Sequence, residues 1–233
     1  MNCEGILLVD KPKGKTSFSL IGGLRRLLKI KTIGHAGTLD PMATGVMVLM
    51  VGKNYTRLSS QLLVQDKEYF AEITLGKTTD SYDAEGQETS CSELIPSHEA
   101  IEEALRSFQG EFFQIPPMFS AKKVNGQKLY NLARNGKTIE REPVKVSAEI
   151  QLLDYSYPKM TIKVNCSKGT YIRSIAHDMG QRLGCGAYLS ALQRTKSGVF
   201  SLADCIDGNL IFDHDASETA KAKVIAALKT CIQ

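Results

Sequence analysis

One carboxylate stands alone among cations. Between Lys11 and Arg57 the chain carries nine lysines and arginines and a single acid, Asp40. Asp40 lies in Gly34-His35-Ala36-Gly37-Thr38-Leu39-Asp40-Pro41-Met42-Ala43-Thr44-Gly45, whose glycines allow a close approach of backbone to ligand. Surrounding positive charge favours the ionised carboxylate, which suits a nucleophile or charge stabiliser better than a general acid. The pair Asp40-Pro41 is also what a helix N-cap followed by proline at the first helical position looks like. Spacing alone favours that structural role. Tyr69 follows Lys67 on the alternating stretch Glu68-Tyr69-Phe70-Ala71-Glu72-Ile73, where a tyrosine on the apolar face is ordinarily core. Arg173 ends Lys168-Gly169-Thr170-Tyr171-Ile172-Arg173 and falls in the first turn of a predicted helix. A cation there opposes the helix dipole, so a carboxylate or phosphate partner is expected; a plain surface arginine is the alternative.

Charge elsewhere is blocked rather than mixed. Residues 66–111 hold twelve acids and three basic residues, and residues 113–145 hold seven basic residues and two acids. Two basic blocks around an acidic one predict a positive face and a solvated negative face, although any single run can be ordinary surface. The second block, Ser120-Ala121-Lys122-Lys123-Val124-Asn125-Gly126-Gln127-Lys128-Leu129-Tyr130, mixes cations, polar groups and an aromatic, which suits RNA backbone contact and base stacking. The six cysteines are scattered, with no Cys-x-x-Cys spacing, which argues against structural zinc and a disulfide framework. Neither a metal site nor a cofactor is expected. No stretch approaches the roughly 18 apolar residues of a membrane span, and the first residues lack a secretory pattern. A cytoplasmic location is the default.

The elements that must position these groups can be read from periodicity. Residues 5–10 form a buried strand closed by the turn Lys11-Pro12-Lys13-Gly14-Lys15. Thr16 or Ser17 caps a helix burying Leu20, Ile21, Leu24, Leu27 and Leu28, with Gly22-Gly23 marking a close contact. The Asp40 loop leads into a buried strand at 46–51, a half-buried strand follows at 68–75, and residues 76–87 read as a polar loop. Helices are predicted around Ile101, Leu105 and Phe108 and from Leu129 to Asn135, separated by an extended Gln114-Ile115-Pro116-Pro117-Met118-Phe119-Ser120 segment. Strands near 145–153 and 160–166 precede a helix capped by Ser167 or Thr170 and stopped by Gly184. A strand pair at 188–200 and a surface helix from Asp213 complete the chain. Strands do not alternate regularly with helices, which favours an α+β fold over a doubly wound parallel sheet.

In order along the chain, these segments resemble the bacterial TruB-type tRNA pseudouridine synthases. The resemblance rests on Gly5-Ile6-Leu7-Leu8-Val9-Asp10-Lys11-Pro12 with Thr16-Ser17, the Asp40 loop, and Lys67-Glu68-Tyr69 followed by Leu75-Gly76, Thr79-Asp80-Ser81 and Asp83. It continues through Pro116-Pro117-Met118-Phe119-Ser120-Ala121-Lys122 and Cys166–Arg173, then Leu183-Gly184-Cys185-Gly186-Ala187. It implies the pseudouridine synthase fold: a mixed, mainly antiparallel sheet flanked by helices, with an active-site cleft across the sheet. It also implies isomerisation of uridine 55 in the T-loop of tRNA, without cofactor or metal. By motif, Asp40 is then the catalytic aspartate and Arg173 its ion-pair partner. Tyr69 is the aromatic against the target base and the base for its C5 proton. His35 helps hold the loop with its uridine turned out, and Leu192 is a wall of the pocket. Tyr171, Lys11, Lys122, Lys123 and Lys128 are the further substrate-contacting candidates. The expected organisation is a catalytic domain over 1–212, with an RNA-binding insertion near 113–145, and a short tail over 213–233 in place of the family's PUA domain. The expected partner is the tRNA T-arm, and the expected state is a monomer. Two rivals remain at this level: a tRNA-binding chaperone with little or no catalysis, and an RNA N-glycosidase or nuclease. A nuclease would ordinarily show paired metal-ligating acids, whereas the first basic block holds one acid.

Overall fold

The computed structural model describes residues 3–124, 126–212 and 217–230. In chain order the first elements are β1 (Gly5–Lys11), α1 (Ser17–Leu28), β2 (Ile33–His35), β3 (Thr44–Val51), α2 (Lys53–Thr56), α3 (Ser59–Leu63) and β4 (Lys67–Leu75). Next come β5 (Lys77–Thr79), β6 (Glu88–Cys91), α4 (His98–Arg106), β7 (Gly110–Gln114), β8 (Lys123–Val124), β9 (Gln127–Lys128) and α5 (Leu129–Arg134). The chain ends with β10 (Val144–Ser156), β11 (Lys159–Cys166), α6 (Ile172–Leu183), β12 (Ala187–Ser197), β13 (Phe200–Ser201), β14 (Ile206–Asp207) and α7 (Ser217–Ala226). Two compact units emerge, one of residues 1–69 with 192–233 and one of residues 70–191.

In the first unit, β1 pairs antiparallel with β3 from Gly5 opposite Val51 to Lys11 opposite Gly45. β14 adds in parallel to β1, β2 lies antiparallel on β3, and β12 meets β3 in parallel at Gln193–Thr44 and Arg194–Gly45. Both faces of β1 and β3 are covered, so these strands read as unbroken apolar runs rather than alternating ones. Ile6, Leu8, Val46, Val48, Met50 and Phe200 share one core. Thr16 caps α1, its hydroxyl accepting from the Ser19 N–H at 2.9 Å. Of the two glycines in that helix, Gly23 makes the close contact: a Cβ there would lie 2.7 Å from Ile211 Cγ2, whereas Gly22 faces open space apart from Arg26. The C-terminal helix α7 buries Ala220 and Val224, and Lys229 bridges to Ile6, so this segment is packed rather than merely superficial.

The second unit orders its strands β4-β11-β10-β7. β10 is the long spine, antiparallel to β11 on one side and β7 on the other. α4 buries Ile101, Ala104 and Leu105, and the Arg182 guanidinium of α6 lies 5.3 Å from the centre of the Phe108 ring. The stretch 76–87 is not all loop. Lys77–Thr79 pairs with Glu88–Cys91, and the Thr78 hydroxyl lies 2.7 Å from that of Thr89 and 2.6 Å from that of Ser90. A hairpin tied by hydroxyls has no apolar alternation to reveal it. Neither Ser167 nor Thr170 caps α6. Tyr171 occupies that position, and the Thr170 hydroxyl donates to the Ser167 carbonyl instead. Gly184, in the left-handed region, ends the helix as predicted. Antiparallel pairings predominate and the helices do not alternate with the strands: the fold is α+β.

Candidate active site

Asp40 is not a helix cap. It precedes a turn, closed by the Ala43 N–H on the Asp40 carbonyl at 3.1 Å, that feeds directly into β3. Its two neighbours are pinned by other groups. The buried Ser17 hydroxyl donates to the Leu39 carbonyl at 3.1 Å and accepts from the Leu39 N–H at 3.0 Å. The Pro41 carbonyl accepts from the Gly14 N–H at 2.8 Å and from the Lys11 ammonium at 3.1 Å. Lys11 also donates to the carbonyls of Pro12 and Lys15. Its side chain is completely buried. A buried ammonium engaged with three carbonyls fastens the 11–15 turn to the Asp40 loop; it is not placed to meet phosphate, contrary to the expectation for this residue.

Beneath the same loop lies Arg194, 1% exposed and without a part in the sequence reading. Its Nε donates to the Val46 carbonyl at 2.7 Å, and one Nη donates to the Gly37 carbonyl at 3.4 Å and lies 3.2 Å from Met47 Sδ. A signal for it existed: on β12 it shares the inward register of Leu192, where an alternating strand should place an apolar residue. Asp10, likewise missed, accepts from the Gly45 N–H at 3.0 Å. His35 closes β2 half-buried, and burial pushes its imidazole below the usual histidine range, with a Gly37 backbone contact opposing and Arg194 adding to the shift. The shift favours the neutral imidazole. Tyr69 on β4 and Leu192 on β12 are both buried, each 8% exposed.

The other candidates belong to the second unit. Arg173 sits in the first turn of α6, 3% exposed. The carboxylate its position calls for is Asp83, 3.5 Å from Nε and equally buried. Asp83 is held in turn by the Ser81 hydroxyl at 2.6 Å and the Glu85 N–H at 3.0 Å. Arg173 also donates to the carbonyls of Ser81 and Phe119. The Pro-Pro segment is riveted to the start of α6 by three contacts: this Phe119 carbonyl, the Ser174 hydroxyl on Ile115, and the Gln114 side chain. Gln114 takes both backbone groups of Tyr171, accepting from its N–H at 2.8 Å and donating to its carbonyl at 3.0 Å. One turn beyond Arg173, His177 stacks on Tyr82 with ring centres 3.7 Å apart. Tyr82 has a left-handed backbone (φ 66°) and separates the two Arg173 partners Ser81 and Asp83. Lys122 is half-buried and Lys123 exposed on β8; Lys128 lies on β9, and its side chain falls outside the described residues.

Among the described residues no three His, Cys, Asp or Glu side chains converge as metal ligands, and no helix is long and apolar enough to cross a membrane. The model of the TruB family pseudouridylate synthase N-terminal domain matches residues 25–172, and that of the tRNA pseudouridylate synthase B C-terminal domain matches residues 173–233. The segment read as a tail thus falls within a family domain. The chain is 62% identical over 205 residues to the tRNA pseudouridine synthase B of Protochlamydia amoebophila, covering 88% of this chain and 78% of that protein. With the tRNA pseudouridine synthase B of Chlamydia pneumoniae it shares 59% over 211 residues, 91% of this chain and 89% of the relative. Among solved structures, a Cbf5–Nop10–Gar1 complex matches with TM-score 0.73 and 26% identity over 97% of this chain. This chain spans 60% of that one.

Proposed function

The chain belongs to the TruB family of pseudouridylate synthases, and on that premise we propose that it isomerises uridine to pseudouridine at position 55 in the T-loop of tRNA. The observation that carries the reading is the Asp40 loop. An aspartate that spacing alone assigns to a helix cap stands instead in a turn whose backbone is fixed on both sides by Ser17, Gly14 and Lys11. Orientation of that quality is what a reacting carboxylate needs.

In the proposed reaction the target base leaves the stack of its loop and enters the site. The bond from N1 to C1′ breaks, the base turns, C5 bonds to C1′, and the C5 proton is exchanged for one on N1. Substrate and product are isomers, so the atoms balance with no co-substrate. The Asp40 anion serves by attack at C1′, by addition at C6, or by taking the C2′ proton. Tyr69 stacks against the base and removes the C5 proton, and Leu192 walls the pocket. Neutral His35 supports the turned-out nucleotide by hydrogen bonding without adding charge. The family resemblance assigns Arg173 as counter-ion to Asp40, and Tyr171, Lys122, Lys123 and Lys128 as contacts to the T-arm; Lys11 leaves that set.

Asp40→Asn tests the proposal, because it keeps shape and removes the anion. Pseudouridine formation on unmodified tRNA is expected to fall on the order of a thousandfold or more, with tRNA binding kept. The tRNA mass stays constant during the wild-type reaction, as isomerisation requires and base loss or strand cleavage forbids. Undiminished turnover in Asp40→Asn would sink the assignment, and a wild type that binds tRNA without modifying it would favour the chaperone.

A further inference from the structure

Two glycines of the Asp40 loop lie against one residue, Arg194. Gly37 and Gly45 both have left-handed backbones, with φ of 92° and 102°. A Cβ at Gly37 would come 3.4 Å from an Arg194 guanidinium nitrogen, and a Cβ at Gly45 would collide with the Arg194 backbone. Arg194 donates to the carbonyls of Gly37 and Val46, the residues that bracket the segment carrying Asp40. Its own backbone pairs with Gly45 across β12 and β3. Main chain and side chain of a single residue therefore close both ends of the loop.

Burying a guanidinium is costly where hydrophobic packing would serve, because its charge leaves water. Arg194 is 1% exposed and, among the described residues, its guanidinium meets carbonyls and a sulfur but forms no ion pair with a carboxylate. A leucine or methionine would fill such a site at lower cost, but could not hold two carbonyls a loop apart. What the arginine adds is a planar fork of donors with fixed geometry, which a single ammonium cannot reproduce.

We propose that Arg194 is a positioning residue for the reaction, setting the height and orientation of the Asp40 loop from beneath. The inference rests on the assignment of Asp40 as the reacting carboxylate. Its effect reaches the chemistry through the loop, so it governs turnover rather than tRNA capture. Its charge also opposes protonation of His35, in line with the lowered pKa of that imidazole.

Arg194→Met and Arg194→Lys, made in the full chain, separate this role from simple support. With unmodified tRNA, Arg194→Met is expected to lower kcat by about 30-fold or more while KM stays within about threefold, since displacement of a reacting group by an ångström costs on that order. Arg194→Lys, which keeps the charge and one donor direction, recovers part of the loss. Amide exchange of Ala43 and Gly45 should accelerate about tenfold in both variants, with α6 amides unchanged, as expected for local loosening. By NMR, the His35 pKa should rise in Arg194→Met and not in Arg194→Lys. If Arg194→Met does not fold, the Lys variant carries the test through the same kcat and exchange measurements. Turnover within threefold of wild type in a folded Arg194→Met, or in Arg194→Lys if that alone folds, would overturn the proposal. So would unchanged loop exchange. A wild type that forms no pseudouridine would defeat the functional reading, while the loop-exchange measurement would still decide whether Arg194 holds the loop.

Discussion

Removing the Asp83 carboxylate should expose how much of the second unit depends on one buried charge. Arg173 and Asp83 are each 3% exposed and 3.5 Å apart, so neither can turn to water when the other is lost. Breaking a buried pair from one side costs about 3–5 kcal/mol. The separation is long and Arg173 has carbonyl partners in Ser81 and Phe119, which places Asp83→Asn at the low end, about 3 kcal/mol. Asparagine keeps an acceptor for the Ser81 hydroxyl and the Glu85 N–H. Asp83→Ala loses those as well and should cost roughly 1–2 kcal/mol more, the value of hydrogen bonds to a charged group after allowing for their overlap. For a chain of this size each kcal/mol lowers Tm by about 2–4 °C, so the asparagine variant should melt roughly 6–12 °C below wild type. Urea titration and thermal melts followed by circular dichroism give both numbers. An Asp83→Asn protein within 1 kcal/mol of wild type would refute the argument, because it would mean that the Arg173 charge does not rely on Asp83.

The two adjacent glycines of α1 should respond oppositely to alanine. Gly22→Ala has room and gains helix propensity, about 0.5–1 kcal/mol, whereas Gly23→Ala drives a methyl into Ile211 and should lose about 1–3 kcal/mol; equal melting temperatures for the two variants would contradict the packing. On α6, burial pushes the Asp178 carboxyl up to about 6, with Arg182 opposing. A raised folded pKa favours the protonated carboxyl, so its contribution is full below about 4 and is lost as pH rises through about 6. Asp178→Asn should therefore stabilise by about 1–2 kcal/mol at pH 7.5, after discounting for partial exposure, and by almost nothing at pH 4; a gain independent of pH in urea titrations would rule out titration as its cause.

Elements with a strong apolar signature were legible in the sequence. The runs of β1 and β3, the stripe of α1 and the Gly184 stop of α6 follow from local composition, and so does the α+β class. What escaped was polar or non-local. The Lys77–Cys91 hairpin is held by threonine and serine hydroxyls, which carry no periodic apolar signal. Gln114 binds the backbone of Tyr171 from 57 residues away, and no window along the chain contains both. Lysine composition points Lys11 to the surface, yet its ammonium finds three carbonyls gathered by a turn and a distant loop. Summed charge locates a basic region, but it cannot say which cations remain at the surface to meet an anion.

Asp40 shows why the candidate site itself was only half legible. Asp-Pro fits a helix start and a turn equally well, since proline needs only its fixed φ and an unpaired nitrogen position. Four residues after the proline the ambiguity is broken by Gly45, whose φ of 102° suits the start of β3, and whose N–H is taken by Asp10. Arg194 enforces that geometry from another strand, a constraint absent from the local sequence. Ser17, Gly14, Lys11, Asp10 and Arg194 shape the loop through its backbone, at Leu39, Pro41, Gly45, Gly37 and Val46. A cap residue builds structure through its side chain, and replacing it costs about 1 kcal/mol. Asp40→Asn is expected to keep these backbone contacts, so a loss of turnover with the circular dichroism spectrum and Tm of wild type reports on the reaction, and a matching fall in Tm would assign the loss to the fold.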